Sequence, residues 1–189
     1  MDKHAYLDHF EKLLEDGLAK LCTGAGLLDG EIFRSPDIDD RWDKDLVKPY
    51  VADAVKNFND YPDAALGWAA FLGMAVGHQW DKAWEAHRSD VYESYYGPRG
   101  WDDMDEHVLY GMLHLDKEEA ARLSEAVLGC SSAAQGLIRH EGIEAQTETG
   151  FYILARCYTV FYRLGAALEL RRLGYKKVVN YQPRTFLKS

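Results

Sequence analysis

Two stretches of this chain hold the residue types that chemistry needs. His78, Asp81 and Glu85 recur at spacings of three and four, which on a helix sets them along one side. Asp103, His107 and His114 follow on a second predicted helix, and His140 and Glu144 stand one turn apart on a third. Imidazole and carboxylate groups converging from facing helices are what a metal centre or an acid–base pair requires. Di-iron bundles achieve this with paired Glu-x-x-His motifs, and here no Glu lies three residues before a His. No metal site and no cofactor are therefore expected.

A second cluster lies near the C-terminal end, where Tyr152, Arg156, Thr159 and Arg163 form a narrow polar stripe on an otherwise apolar segment. Arginine keeps its charge in proteins and is rarely buried unpaired. The stripe therefore faces water, or else an interior carboxylate, for which Asp81 and Glu85 are the expected partners. Taken together, His78, Asp81, Glu85, His107, Tyr152, Arg156 and Arg163 define a candidate interhelical ligand pocket, provided that they converge. A third cluster is aromatic: Trp80, Trp84, Tyr92, Tyr95, Tyr96 and Trp101. Amphipathic rings favour both interfaces and cores. Tyr92, Tyr95, Tyr96 and Trp101, rimmed by Asp90, Glu93 and Arg99, are read as a candidate contact surface.

Other signatures are absent. The chain has no Gly-x-Ser-x-Gly elbow, no phosphate-cradling Gly-rich loop ending in Lys-Ser or Lys-Thr, and no His-Glu-x-x-His. The acidic run from Asp37 to Asp40 fails as a calcium loop, because Trp42 stands where glycine is needed and Lys48 where the bidentate Glu belongs. No 34-residue repeat recurs.

The elements that must position these residues are helical. From Ala64 to Trp80 there is no charge. A helix that is apolar on nearly every side must be surrounded by protein. Pro62 marks its start, and it is expected to run over 62–87. Its acidic flanks, Asp60, Asp63, Asp81 and Glu85, argue against a membrane span, which favours basic flanks. Gly67, Gly73 and Gly77 inside it each cost about 1 kcal/mol relative to Ala, so a close helix neighbour is expected, along a stripe of Gly67, Ala70, Met74, Gly77 and Asp81. Before it, Tyr6, Leu7, Phe10, Leu14 and Leu18 recur with helical period, predicting a helix over 2–21 that stops near Gly24. Ser35-Pro36 is helix-start chemistry, and Pro49 is expected to kink or break the helix begun there. The central helix leads into an irregular, aromatic 89–100 connection and a short helix over 103–114, opened by Asp103 and Glu106 as a capping box. Helices over 116–143 and 147–173 complete the set, with a bend expected at Gly129 or Ser131-Ser132 in the former. Val178-Val179 could add a short extended piece.

The expected fold is all-α: a single-domain antiparallel bundle of six or seven helices over 1–174, with a basic tail over 175–189. At 189 residues and 47% apolar content the chain can bury a sizeable core. The net charge of −9 disfavours nucleic acid as partner. From Arg171 onward six cations stand without an acid, leaving −9 minus 6, or −15, on the rest. Such a tail is expected to dock on its own body or on a twin copy. Three cysteines, Cys22, Cys130 and Cys157, lack metal spacing and read as reduced core thiols of a cytoplasmic protein. The first residues lack an apolar signal core, so export is not expected. The favoured function is a non-enzymatic one, through protein contacts or homodimerisation. Its rival is a small-molecule or metal-dependent enzyme with its pocket beside the central helix.

Overall fold

Pro62 has no backbone N–H to leave unsatisfied at a helix start, and the central helix α4 begins there, running Pro62–His87. Every residue from Leu66 to Gly77 except Trp68 is buried. The charge-free segment is therefore enclosed, as its composition requires. Helical dihedrals lapse only at Ala83, beyond the apolar run. The computed structural model describes residues 2–177 and 186–188, and apart from one short strand pair its regular structure is helical.

Around α4 lie α1 (Lys3–Gly24), α2 (Pro36–Arg41), α3 (Val47–Asn57), a short α5 (Met104–Glu106), α6 (Lys117–His140) and α7 (Glu148–Arg172). The most extensive packing is α4 against α7, followed by α1 on α7 and α4 on α6. Glycines make the first contact possible. A Cβ at Gly73 would stand 1.9 Å from the carbonyl oxygen of Tyr162, and one at Gly165 would stand 1.7 Å from that of Ala70. Backbone meets backbone at this crossing. Gly77 also faces α7, at Ala166, whereas Gly67 faces Val127 and Ser131 of α6. The expected single glycine stripe is thus divided between two neighbours, and of the three α4 glycines Gly73, outside that stripe, comes nearest to α7.

Local start signals act as their chemistry dictates. Asp116 accepts the Glu119 N–H at the head of α6, and Thr147 accepts the Gly150 N–H at the head of α7. Asp2 does the same for α1. Pro36 opens α2 without a side-chain bond from Ser35. Two expectations need correction. The break between α2 and α3 is a π-helical turn over Trp42–Leu46, ahead of Pro49, which sits in the first turn of α3, where a missing donor costs least. Asp103 does not cap a helix; its carboxylate accepts from the backbone and guanidinium of Arg99, and 101–112 coils as 3₁₀, α and then π turns. No break interrupts α6.

An aromatic column joins the π-helical turn, α3 and α7. Trp42 stacks on Tyr162 at 4.6 Å between centroids, and Tyr50 meets Trp42 and, edge-on, Tyr158. Three of its four polar edges are satisfied by chain-distant groups: Trp42 Nε1–H donates to Thr159, Tyr50 to the Ala65 carbonyl and Tyr162 to that of Ile38. After α7, Tyr175–Lys177 (β1) pairs antiparallel with Phe186–Lys188 (β2). Val178-Val179 lies outside the described residues. No helix among them is long and apolar enough to cross a membrane.

Candidate functional site

The seven residues of the expected pocket do not meet. His78 Nδ1 lies 3.0 Å from Glu169 of α7, whose buried carboxylate also takes both arms of the Arg172 guanidinium at 2.8 Å. Asp81 accepts from Tyr175 at 2.6 Å and pairs with Lys82. Glu85 is exposed beside Arg88. His107 stands on the π turn, with its ring over Gly111. Tyr152 is 42% exposed, under the Lys3 ammonium. These five residues have no partner in common, and no group of three or more His, Cys, Asp or Glu among the described residues has the geometry for a metal ion.

Arg156 and Arg163 find a different acid from the expected one. Both reach Glu11 of α1, Arg163 at 2.7 Å, with Asp8 at 3.0 Å from Arg156 and Asp39 at 3.8 Å from Arg163. Asp81 and Glu85 are not their partners, because the side of α7 that bears these arginines packs on α1. Burial opposes ionisation of Glu11, but hydrogen bonds from both guanidinium groups outweigh it and hold its carboxyl below the ordinary value. Neighbouring Asp39 shows the opposite balance: burial raises it despite Arg34 and Arg163. The arrangement is a closed structural ion network, and all of its charges are accounted for.

The aromatic connection also needs correction as a contact surface. Tyr92, Tyr95 and Trp101 are buried and Tyr96 is half-buried. Tyr92 and Tyr96 both donate to Asp53 of α3, and Tyr95 donates to Gln79 of α4 at 2.8 Å. Burial and the Asp53 charge push the Tyr92 phenol far above its ordinary value. Beneath this loop the buried Arg41 donates to Asp45, Tyr95 and the Asp90 carbonyl. The loop is fastened into its own domain, its three phenols each donating a hydrogen bond to α3 or α4.

What the molecule leaves uncovered lies elsewhere. Val47, Val51 and Val55 recur every four residues along α3, and Phe151, Tyr152 and Ala155 lie opposite on the first turns of α7. Between them runs an almost wholly apolar groove of about 640 Å³, edged by Lys48 and Lys56. Val55, Phe151 and Tyr152 are 41%, 43% and 42% exposed, and the Phe151 and Tyr152 rings meet edge-on at 5.7 Å. Contiguous apolar patches of this kind mark contact sites on soluble domains. The sequence groups Tyr50, Val51, Ala54, Val55 and Phe58 as one inward stripe; Tyr50 and Ala54 are buried, whereas Val51 and Val55, each the next residue and so about 100° further round the helix, line the groove. Comparison with protein-family models, with characterised proteins and with solved structures finds no match.

Proposed function

We propose that this is a non-enzymatic, cytoplasmic protein that works through protein contacts, and that the α3/α7 groove is the face on which two copies associate. The single observation that carries this reading is that exposed apolar groove. The occupant is a second copy because the face carries both halves of a joint. Phe151 and Tyr152 are a ridge, Val51 and Val55 line a trough beside it, and a two-fold axis sets each ridge into the other trough. Charge follows the same pattern. Lys48 and Lys56 edge the trough, while the exposed Glu144 lies just before the ridge end of α7, where Glu148 is already paired with Lys3. The axis therefore brings unlike charges together, which sets orientation and excludes wrong partners.

His78, Asp81 and Arg163 each have a separate partner and His107 stands on a different element, so the enzyme reading gains no support. Three unbridged thiols suit a reducing compartment. Sedimentation velocity across a wide range of protein concentration tests the association. A concentration-dependent dimer is expected for the wild type, and a monomer of unchanged helicity for the Val55→Glu/Phe151→Glu variant. A wild type that stays monomeric throughout, or a variant that dimerises equally well, refutes the proposal.

A further inference from the structure

Cys22 on α1 and Cys130 on α6 are 108 residues apart in sequence, yet their Sγ atoms lie 3.5 Å from one another, and both residues are fully buried. The preceding residues also meet: a Cβ on Gly129 would touch the Leu21 side chain at 3.8 Å. The helices therefore face one another at two successive positions of each. A disulfide needs its sulfur atoms about 2.05 Å apart, so bonding from the 3.5 Å separation asks for a closing motion of about 1.5 Å. Cys157, on α7, is buried and is not part of this pair. A pair so placed is more than a packing device, because each thiol is the nearest reaction partner of the other.

We propose that Cys22 and Cys130 are a two-electron redox pair, which a small hydroperoxide converts to a disulfide tying α1 to α6, while Cys157 takes no part. The two sulfur atoms lie within hydrogen-bond distance and either thiol can donate, so either can attack first. The step is the same with the two exchanged; here Cys22 is the attacking sulfur. Its thiolate attacks one peroxide oxygen, an S–O bond forms, the O–O bond breaks, and the departing hydroxide leaves as water with one proton. The Cys130 sulfur then displaces the hydroxyl of the resulting sulfenic acid, which leaves as a second water with the Cys130 proton. Two thiols lose two electrons and two protons, and hydrogen peroxide is reduced to two waters. The second thiol, 3.5 Å away, is in place to resolve the sulfenic acid as it forms.

The experiment uses the full-length reduced protein in native buffer. It is treated with hydrogen peroxide, quenched with catalase, unfolded in the presence of N-ethylmaleimide, and analysed by intact and peptide mass spectrometry. One alkylated cysteine, Cys157, is expected in place of three, together with a Cys22–Cys130 cross-linked peptide that dithiothreitol removes. Cys22→Ser and Cys130→Ser proteins are each expected to give no cross-linked peptide. The proposal is overturned by three alkylated cysteines after treatment, by a cross-link that involves Cys157 or a second chain, or by irreversible oxidation of Cys22 without a cross-link. The wild-type readout does not depend on either variant folding.

Discussion

Replacing Gly165 with Ala tests the packing on which the fold depends. The new Cβ would stand 1.7 Å from the Ala70 carbonyl oxygen and 2.5 Å from its carbon, where ordinary contact begins at 3.4 Å. Both obstacles are backbone of a buried helix, so no side chain can swing aside. To relieve the clash, α4 and α7 must part by roughly 3.4 minus 1.7, or 1.7 Å, along that line. A gap of 0.5–1 Å already forfeits about a quarter to a half of each dispersion contact, and overpacking costs typically about 1–3 kcal/mol. This site belongs at the upper end, about 3 kcal/mol. Alanine returns about 1 kcal/mol through helix propensity, leaving about 2 kcal/mol of net destabilisation. For a chain of this length that lowers Tm by about 4–8 °C, at about 2–4 °C per kcal/mol. Gly17→Ala on α1, where a Cβ meets nothing within 4 Å, isolates the propensity effect and should raise Tm by about 2–4 °C. Differential scanning calorimetry of the three proteins decides the matter. If Gly165→Ala melts at or above the wild type, α4 and α7 do not cross at backbone contact and the account of the core is wrong.

Three further outcomes concern the polar groups. Tyr95→Phe strands the buried Gln79 oxygen and should cost about 1–2 kcal/mol in urea unfolding. Tyr158→Phe should be neutral or stabilising, because that buried hydroxyl has no hydrogen-bond partner among the described residues. Equal losses for both would contradict this assignment of donors. Glu11→Gln leaves Arg163 and Arg156 without their shared carboxylate and should cost about 2 kcal/mol at neutral pH, below the range for a fully buried pair. The folded-state pKa of Glu11 is depressed, so its contribution is present above the ordinary value of 4.5 and is lost as pH falls through the folded value. The gap between wild type and variant in pH-dependent melting should therefore close below about pH 4.5; a gap that widens on acidification would reverse the sign of the coupling.

Much of the fold was legible in the sequence because its determinants act within a few residues. Pro62, Asp116 and Thr147 start helices through groups no more than one turn away, and the charge-free run of α4 can be stable only if enclosed. The break before α3 was legible as an event but was displaced by a few residues, since Pro49 fits a first turn as well as it breaks an interior one. The sequence by itself thus determined which segments coil and which of them must be innermost. Only the tertiary structure decided who meets whom. Arg156 and Arg163 demanded a carboxylate, but a charge specifies a kind of partner, and the chain offers 31 acids. Glu11, chosen from 145 and 152 residues away, is set by the packing of α1 on α7. The same holds for Tyr92, Tyr95 and Trp101, whose ring chemistry suits an interface or a core equally, and for Cys22 and Cys130, brought together by the α1–α6 seam. Periodicity is written along a helix, whereas the rotation and spacing of one helix against another emerge only when all the apolar faces are buried at once.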